Sequence, residues 1–460
     1  MTSSSETSAT VPITDEPVFG SFVSGVVLTF GTRLLMVAGV FGSGIIIARW
    51  LGPEGFGTYA VLNVTVALAL QIGSAGLPSA NTYFIARDRT GTGPVWANAI
   101  LFALLAGSLL TITVLILDWA NPSLFGGVSA RLLAIAAVSI PFQLLTLLGL
   151  NVLLALDRIR QLNLFDALSP AWVSVNAILV LMILRRGLFE LVSFNTAAFV
   201  LLGLLLVMYL SRAVAKQSNR IRPDLRLLKA MLGYGVKFYV SIMAGTIILR
   251  ADLLIVNHYR GAAEAGVYAV ASQVSFLLLM LPGVIATLLF PRVAAAQDRR
   301  GEFAVRVTRH TTVIMLLTCF ATAVFSFGLP LIYGARFTDA TVQLLILLPG
   351  IFFLGLESVL VQHFTGTGLP RAIPLFWIVT VVFNIGLNLL LVPTFGARAA
   401  AFNSTLSYGL IFLLVAIYFR MKTGRGTAET FLLRTDELRN LFSFKRPATS
   451  TSTASSRTTA

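Results

Sequence analysis

The sequence predicts an all-α polytopic membrane protein, about twelve transmembrane helices in two pseudo-symmetric six-helix lobes. Three observations carry that prediction. The 460 residues are 57% hydrophobic and 12% charged, with mean hydropathy +0.86, whereas a soluble domain carries about 25% charged residues. Apolar runs of roughly 20 residues, the length that spans a bilayer, recur along the chain. Basic residues alternate from loop to loop, and one stretch of sequence recurs at a nearly fixed offset.

The spans are placed at 23–49, 58–80, 96–118, 130–154, 162–184 and 189–211 in the first half. In the second they fall at 236–259, 265–290, 308–332, 340–364, 372–394 and 399–420. Gly, Pro and Arg separate them, as in Leu51-Gly52-Pro53-Glu54-Gly55 and Asp157-Arg158-Ile159-Arg160. Pro141, Pro282 and Pro330 are expected to kink spans 4, 8 and 9. Span 1 is crowded with Gly25, Gly31, Gly39, Gly42 and Gly44, which suits either a bendable gate helix or close helix packing.

Charge sets the orientation. Of the 34 lysines and arginines, Arg33 and Arg250 lie inside spans. Seven fall in odd-numbered loops: Arg49, Arg131, Arg185, Arg186, Arg260, Arg336 and Arg398. The other 25 lie in even-numbered loops and the C-terminal segment. Basic loops stay cytoplasmic, so both termini are expected there. The formal net charge of +15 is thereby read as a membrane signature, and nucleic acid is not an expected partner.

Gly52, Gly57, Tyr59, Ala60 and Val61 match Gly261, Gly266, Tyr268, Ala269 and Val270 at an offset of 209. Arg160 and Phe165 match Arg371 and Phe376, and Asn176 matches Asn388, at offsets of 211 and 212. A duplicated six-helix unit follows. Six is even, so both copies enter with one polarity, related by an axis along the membrane normal, with a cavity between them. The expected domains are a polar N-terminus (1–22), an N-lobe (23–211), a basic cytoplasmic linker (212–235), a C-lobe (236–420) and a largely disordered tail (421–460). Within the linker region, Leu225, Leu227, Leu228, Met231 and Leu232 suggest an amphipathic helix lying on the inner surface.

Hydrocarbon supplies no hydrogen bonds, so charges inside spans must face protein, water or ligand. They are Arg33, Arg250, Asp252 and Glu357. Arg33 and Arg250 are candidate holders of an anionic ligand, because a guanidinium stays charged and binds phosphate through two parallel donors. Interhelical pairing, for Arg33 with Glu357 or Asp252, is the competing reading. Asp252 and Glu357 are candidate coupling-ion sites or structural partners of an arginine. Arg250 and Asp252 stand two apart, about 200° around a helix, and so cannot pair locally. Asn63, Asn151, Gln273, Asn384 and Asn388 are candidates to line a wet cavity, against the alternative of helix-to-helix bonding. Cys319 is alone, and the three histidines have no metal-ligand spacing. No metal, cofactor or catalytic residue is expected, since no nucleophile–base pair, phosphate-cradling loop or ATPase motif is present.

Four further stretches bear a family resemblance: Ala48 through Tyr59; Gly76-Leu77-Pro78-Ser79-Ala80-Asn81; Ile332-Tyr333-Gly334-Ala335-Arg336-Phe337; and Thr365 through Arg371 followed by Asn384 and Asn388. Their order and spacing resemble the polysaccharide transporter, or oligosaccharide flippase, branch of the multidrug/oligosaccharidyl-lipid/polysaccharide exporter superfamily. The resemblance covers about residues 22–419. It implies a MATE-like fold in a bacterial or archaeal cytoplasmic membrane. It also implies alternating-access translocation of a polyprenyl-pyrophosphate-linked oligosaccharide, with membrane lipids, a polysaccharide polymerase and glycosyltransferases as partners. A drug/cation antiporter of the same superfamily is the alternative, and a membrane glycosyltransferase or polymerase a more distant one. A peptidoglycan-precursor flippase fits less well, because two C-terminal spans common in that branch are missing.

Overall fold

The structure is a computed structural model that describes residues 16–216, 221–286, 289, 301–368 and 370–432, without the side chains of 16–30, 32–34, 237, 238, 367, 427 and 428. The polar N-terminus up to residue 15, the tail from 433 and the side chain of Arg33 thus lie outside the described residues. Ten of the described helices are long and apolar enough to cross a membrane. Two of them are double. α1 (Glu16–Ser74) bends at Gly52, with φ 68° and ψ −176°, and the helix Ala372–Thr423 bends at Gly396, with φ 67° and ψ −153°. Only glycine adopts this region readily. With each arm counted separately, the bundle is consistent with the twelve expected spans.

The N-terminal half continues with α2 (Leu77–Arg87), α3 (Thr92–Ala120), α4 (Ala130–Val138), α5 (Ile140–Ala155), α6 (Ile159–Ala177) with a π turn at Ile178–Ile183, and α7 (Leu188–Ala215). The C-terminal half comprises α8 (Leu225–Arg260), α9 (Ala262–Leu278), α10 (Glu302–Ser326), α11 (Leu329–Tyr333), α12 (Asp339–Thr367), α13 (Ala372–Thr423) and α14 (Thr427–Phe431). Each half packs mainly within itself, and α1 and α2 meet α8 and α9 between the halves. The outer face is apolar, as a lipid-facing helix requires. On α3, Leu105, Leu109, Ile112 and Ile116 form an exposed stripe at helical spacing.

Pro141 and Pro282 follow breaks within spans 4 and 8, in line with expectation, whereas Pro330 lies beyond the helix of span 9. Pro141 opens α5 after a break at Ser139. A turn at Leu279 precedes Pro282, and Pro330 opens the separate short α11 after α10 has ended at Ser326. Proline lacks the N–H that a helix interior needs, so it begins a segment more easily than it continues one. The expected surface helix is also different: residues from Leu225 onward are continuous with span 7 in α8. Met231 is fully buried in the N-terminal core, with Leu227, Leu228 and Leu232 packed against it. The apolar stripe is thus covered by protein. Asp224 caps α8 by accepting from the Arg226 and Leu227 amides, and Asn98 clamps the Asp224 backbone at both N–H (2.9 Å) and C=O (2.8 Å).

The duplication has a structural counterpart. Gly52 and Gly261 hold the same rare backbone conformation, with φ 68° and 83° and ψ −176° and 171°. Between the halves, a Cβ on Gly57 would lie 1.8 Å from the Ala262 carbonyl oxygen, and one on Gly266 would lie 1.9 Å from that of Pro53. The corresponding members of these two contacts, Gly57 and Gly266, and Pro53 and Ala262, differ by 209. So do those of a second pair: Arg49 Nε donates to the Ile332 carbonyl at 2.6 Å, and His258 Nδ1 lies 2.6 Å from the Ser123 carbonyl. The halves are therefore closed at this end, opposite the start of α1 and the end of α13, by contacts that obey the internal repeat.

Candidate functional site

Toward the bundle's middle the halves separate around a cavity of about 590 Å³, lined by both arms of α1 and by α6, α8 and α9. The bend at Gly52 brings both arms of α1 to its border. Most of the wall is apolar, including Phe41, Phe56, Leu249 and Met280, with Ser43, Tyr59, Asn63, Arg250, Asp252, Ser272 and Gln273 as its polar groups. Gln273 reaches across from α9 to donate to the Val40 carbonyl at 3.4 Å. It passes over Gly44, where a Cβ would lie 2.8 Å from its amide nitrogen. One of the glycines that crowd span 1 is thereby accounted for by close packing.

Arg250 is the cation of this wall. It is exposed to the cavity from the middle of span 7, and its guanidinium lies over the Phe276 ring, 5.7 Å from the centroid. It has no hydrogen-bond or ion-pair partner among the described residues. Asp252 points elsewhere, as the helical angle requires. Only 2% exposed, it accepts from the Tyr268 hydroxyl, from Ser404 Oγ at 3.0 Å and from the Leu253 amide at 2.8 Å. Although it borders the cavity, its carboxylate is engaged inside the C-terminal half. The wall therefore presents a free positive charge and no free negative one among the described residues.

The other sequence candidates divide. Asn63 and Gln273 border the cavity. Asn384 and Asn388 do not. Both are fully buried within the C-terminal half, where Asn384 donates to Ser407 (3.0 Å), Asn388 to the Asn384 carbonyl (2.9 Å) and Asn403 to Asn388 (3.4 Å). Hydrogen bonds between the two arms of α13 account for them. Asn151 lies on a separate open groove beside Tyr83, Arg87 and Tyr234. Glu357 is 2% exposed in α12, and its Oε1 has no hydrogen-bond partner among the described residues.

A second, smaller cavity of about 280 Å³ lies in the N-terminal half, bounded by α1, α4, α5 and α7, with Arg250 at its boundary. Asn63 and Tyr59 border both cavities. Gln143, Asn195 and Thr196 of this chamber were not singled out from the sequence. Scattered single polar residues give no periodic signal, and only Tyr59, repeated as Tyr268, had one.

The comparisons agree with this architecture. A probable low-salt glycan biosynthesis flippase of Haloferax volcanii, Agl15, is 23% identical over 84% of this chain and 82% of its own length. The succinoglycan biosynthesis transport protein ExoT of Rhizobium meliloti is 26% identical over 76% of this chain and 68% of its own. Among solved structures, the lipid II flippase MurJ in an inward closed conformation superposes with TM-score 0.74 at 13% identity, covering 86% of this chain and 87% of that one. An inward-facing multidrug resistance MATE family transporter of the MOP superfamily gives 0.72 at 16% identity, covering 85% and 94%. The fold is thus that of these transporters. Residues 46–342 match the model of the polysaccharide biosynthesis protein family, and the chain belongs to that family.

Proposed function

We propose that the protein is a flippase for a polyprenyl-pyrophosphate-linked oligosaccharide. It carries the headgroup from the inner to the outer leaflet during synthesis of a surface polysaccharide such as exopolysaccharide, O-antigen or capsule. The observation that carries this reading is Arg250, a guanidinium without a hydrogen-bond or ion-pair partner among the described residues, facing a cavity between two halves of a membrane bundle. A charge at the bilayer centre costs at least about 2.5–3.5 kcal/mol, so a structure that keeps one unpaired there has a use for it. A pyrophosphate satisfies several of its donors at once. Arg33, on the span that the repeat makes equivalent to span 7, is the second proposed anion holder.

The lobes, 23–211 and 236–420, rock about the cavity to expose it to each side in turn. The loop charges support an orientation with both termini in the cytoplasm of a bacterial or archaeal cell. The closed end at Gly57 and Gly266 then faces outward. Glu357, buried and without a partner for one oxygen among the described residues, is the better-supported coupling-ion site, whereas Asp252 is occupied by three donors. Glycosyltransferases supply the substrate and a polymerase takes the product. A cation antiporter would need a free carboxylate in the cavity wall, which the described residues lack. Deleting the gene should leave lipid-linked oligosaccharide on the inner leaflet; a deletion strain with a normal leaflet distribution would count against the reading.

A further inference from the structure

We infer that the small chamber in the N-terminal half is a subsite for a single neutral sugar ring, the one joined directly to the pyrophosphate. The inference rests on the proposed flippase function and adds a place where the glycan itself is recognised.

Its size sets the first limit. At about 280 Å³, the chamber falls just below the roughly 300–1,000 Å³ of pockets for drug-sized ligands. One pyranose fits, and an oligosaccharide does not. Its chemistry sets the second. The polar groups that border it are Tyr59, Asn63, Ser139, Gln143, Asn195 and Thr196, all neutral, and Arg250 is its one charge.

Part of this polar set is used within the protein. Ser139 donates to the Ala136 carbonyl (2.6 Å) and accepts from Gln143 Nε2 (2.8 Å). Asn195 accepts from Asn176 at 2.8 Å and donates to the Tyr59 hydroxyl at 3.4 Å. Asn63 Nδ2 donates to the Tyr59 carbonyl at 2.7 Å. These bonds fix the amides and aim what remains. The Gln143 Oε1 and the Thr196 hydroxyl have no hydrogen-bond partner among the described residues, whereas the Asn63 side chain also engages the Tyr59 hydroxyl. An amide acceptor and a hydroxyl suit the vicinal hydroxyl groups of a sugar ring. Phe199, Val192 and Leu62 supply an apolar surface for its C–H face.

Position sets the third limit. Arg250 borders both this chamber and the central cavity. An anion held at Arg250 therefore sits at the mouth of the chamber, and a ring one bond away from that anion reaches the free acceptors. A bulky first sugar would not fit beside them, and a cationic one would meet no counter-charge.

The test uses the full-length protein in lipid nanodiscs. The probes are a bare short-chain polyprenyl pyrophosphate and the same carrier bearing one glucose, galactose or N-acetylglucosamine. Affinities are measured for each. Wild type should bind at least one of the sugar-bearing carriers about fivefold or more tighter than the bare carrier. Gln143→Leu and Thr196→Val should each reduce that preference several-fold, with bare-carrier affinity reporting that the protein is folded. Arg250→Ala should weaken all the carriers together. A wild type without preference for any of the sugars, or a preference that survives both chamber substitutions, overturns the subsite. Arg250→Ala with unchanged bare-carrier affinity overturns instead the flippase reading of the cleft.

Discussion

At the residue scale, the informative contrast is between Arg250 and Asp252. Two positions apart on one helix, they face different worlds: Arg250 the cavity, Asp252 a closed set of donors from Tyr268, Ser404 and the Leu253 amide. Removing the carboxylate strands two buried hydroxyl donors. Asp252→Ala should therefore cost about 1–3 kcal/mol and lower the unfolding temperature in detergent, while Asp252→Asn, which keeps an acceptor, should cost less. An unchanged melting curve for Asp252→Ala would remove its structural role. Glu357 is the complementary case, since its Oε1 has no partner among the described residues to lose. Glu357→Gln should fold normally and make transport insensitive to collapse of the proton gradient; a mutant that still responds as wild type does would exclude it as the coupling site. The sequence made Arg33, Arg250, Asp252 and Glu357 visible, because charge in an apolar run stands out. It separated Arg250 from Asp252 by helical angle alone. It did not distinguish Asn63, which borders the cavity, from Asn384 and Asn388, which are interior. Span sequence carries no sign of which face is wet when nearly every residue is apolar.

At the element scale, glycine determines how the helices turn and touch. The bends at Gly52 and Gly396 fold single long helices into paired arms. Gly57 and Gly266 let α1 and α9 approach backbone to backbone. A methyl group at Gly57 cannot fit against the Ala262 carbonyl, and backbone has no rotamer with which to yield. Gly57→Ala should thus spread the halves at this end while leaving each helix intact. Spin labels on Trp50→Cys and Tyr259→Cys, in a Cys319→Ala background, would report it by pulsed dipolar spectroscopy. The expected result is a population at longer distance, and an unshifted distribution would show that the contact does not hold the halves together. The repeat was legible in the sequence through these very glycines. Their mutual contact was not, because an offset relates two copies without saying that they touch. The merger of the linker helix into α8 was also hidden. Its apolar stripe fits a membrane surface and a protein groove equally well, and the structure places Met231 in the groove.

At the scale of the whole molecule, the repeat, the closed end and the cavity form one device. Contacts related by the 209-residue offset join the halves at one end: Arg49 to Ile332 and His258 to Ser123, beside the paired glycines. A two-fold-related closure can be reproduced at the other end by rocking, which is what alternating access needs. The cavity between has a free cation and, among the described residues, no free anion. The central claim is that Arg250 holds the phosphate of a lipid-linked glycan while the halves exchange positions. Its most direct test is leaflet exchange of a fluorescent polyprenyl-pyrophosphate-linked oligosaccharide in sealed vesicles reconstituted with wild type or Arg250→Ala. Wild type should equilibrate the lipid between leaflets, and the variant, inserted and folded to the same extent, should be slower by at least tenfold. Equal rates for the two proteins would contradict the account.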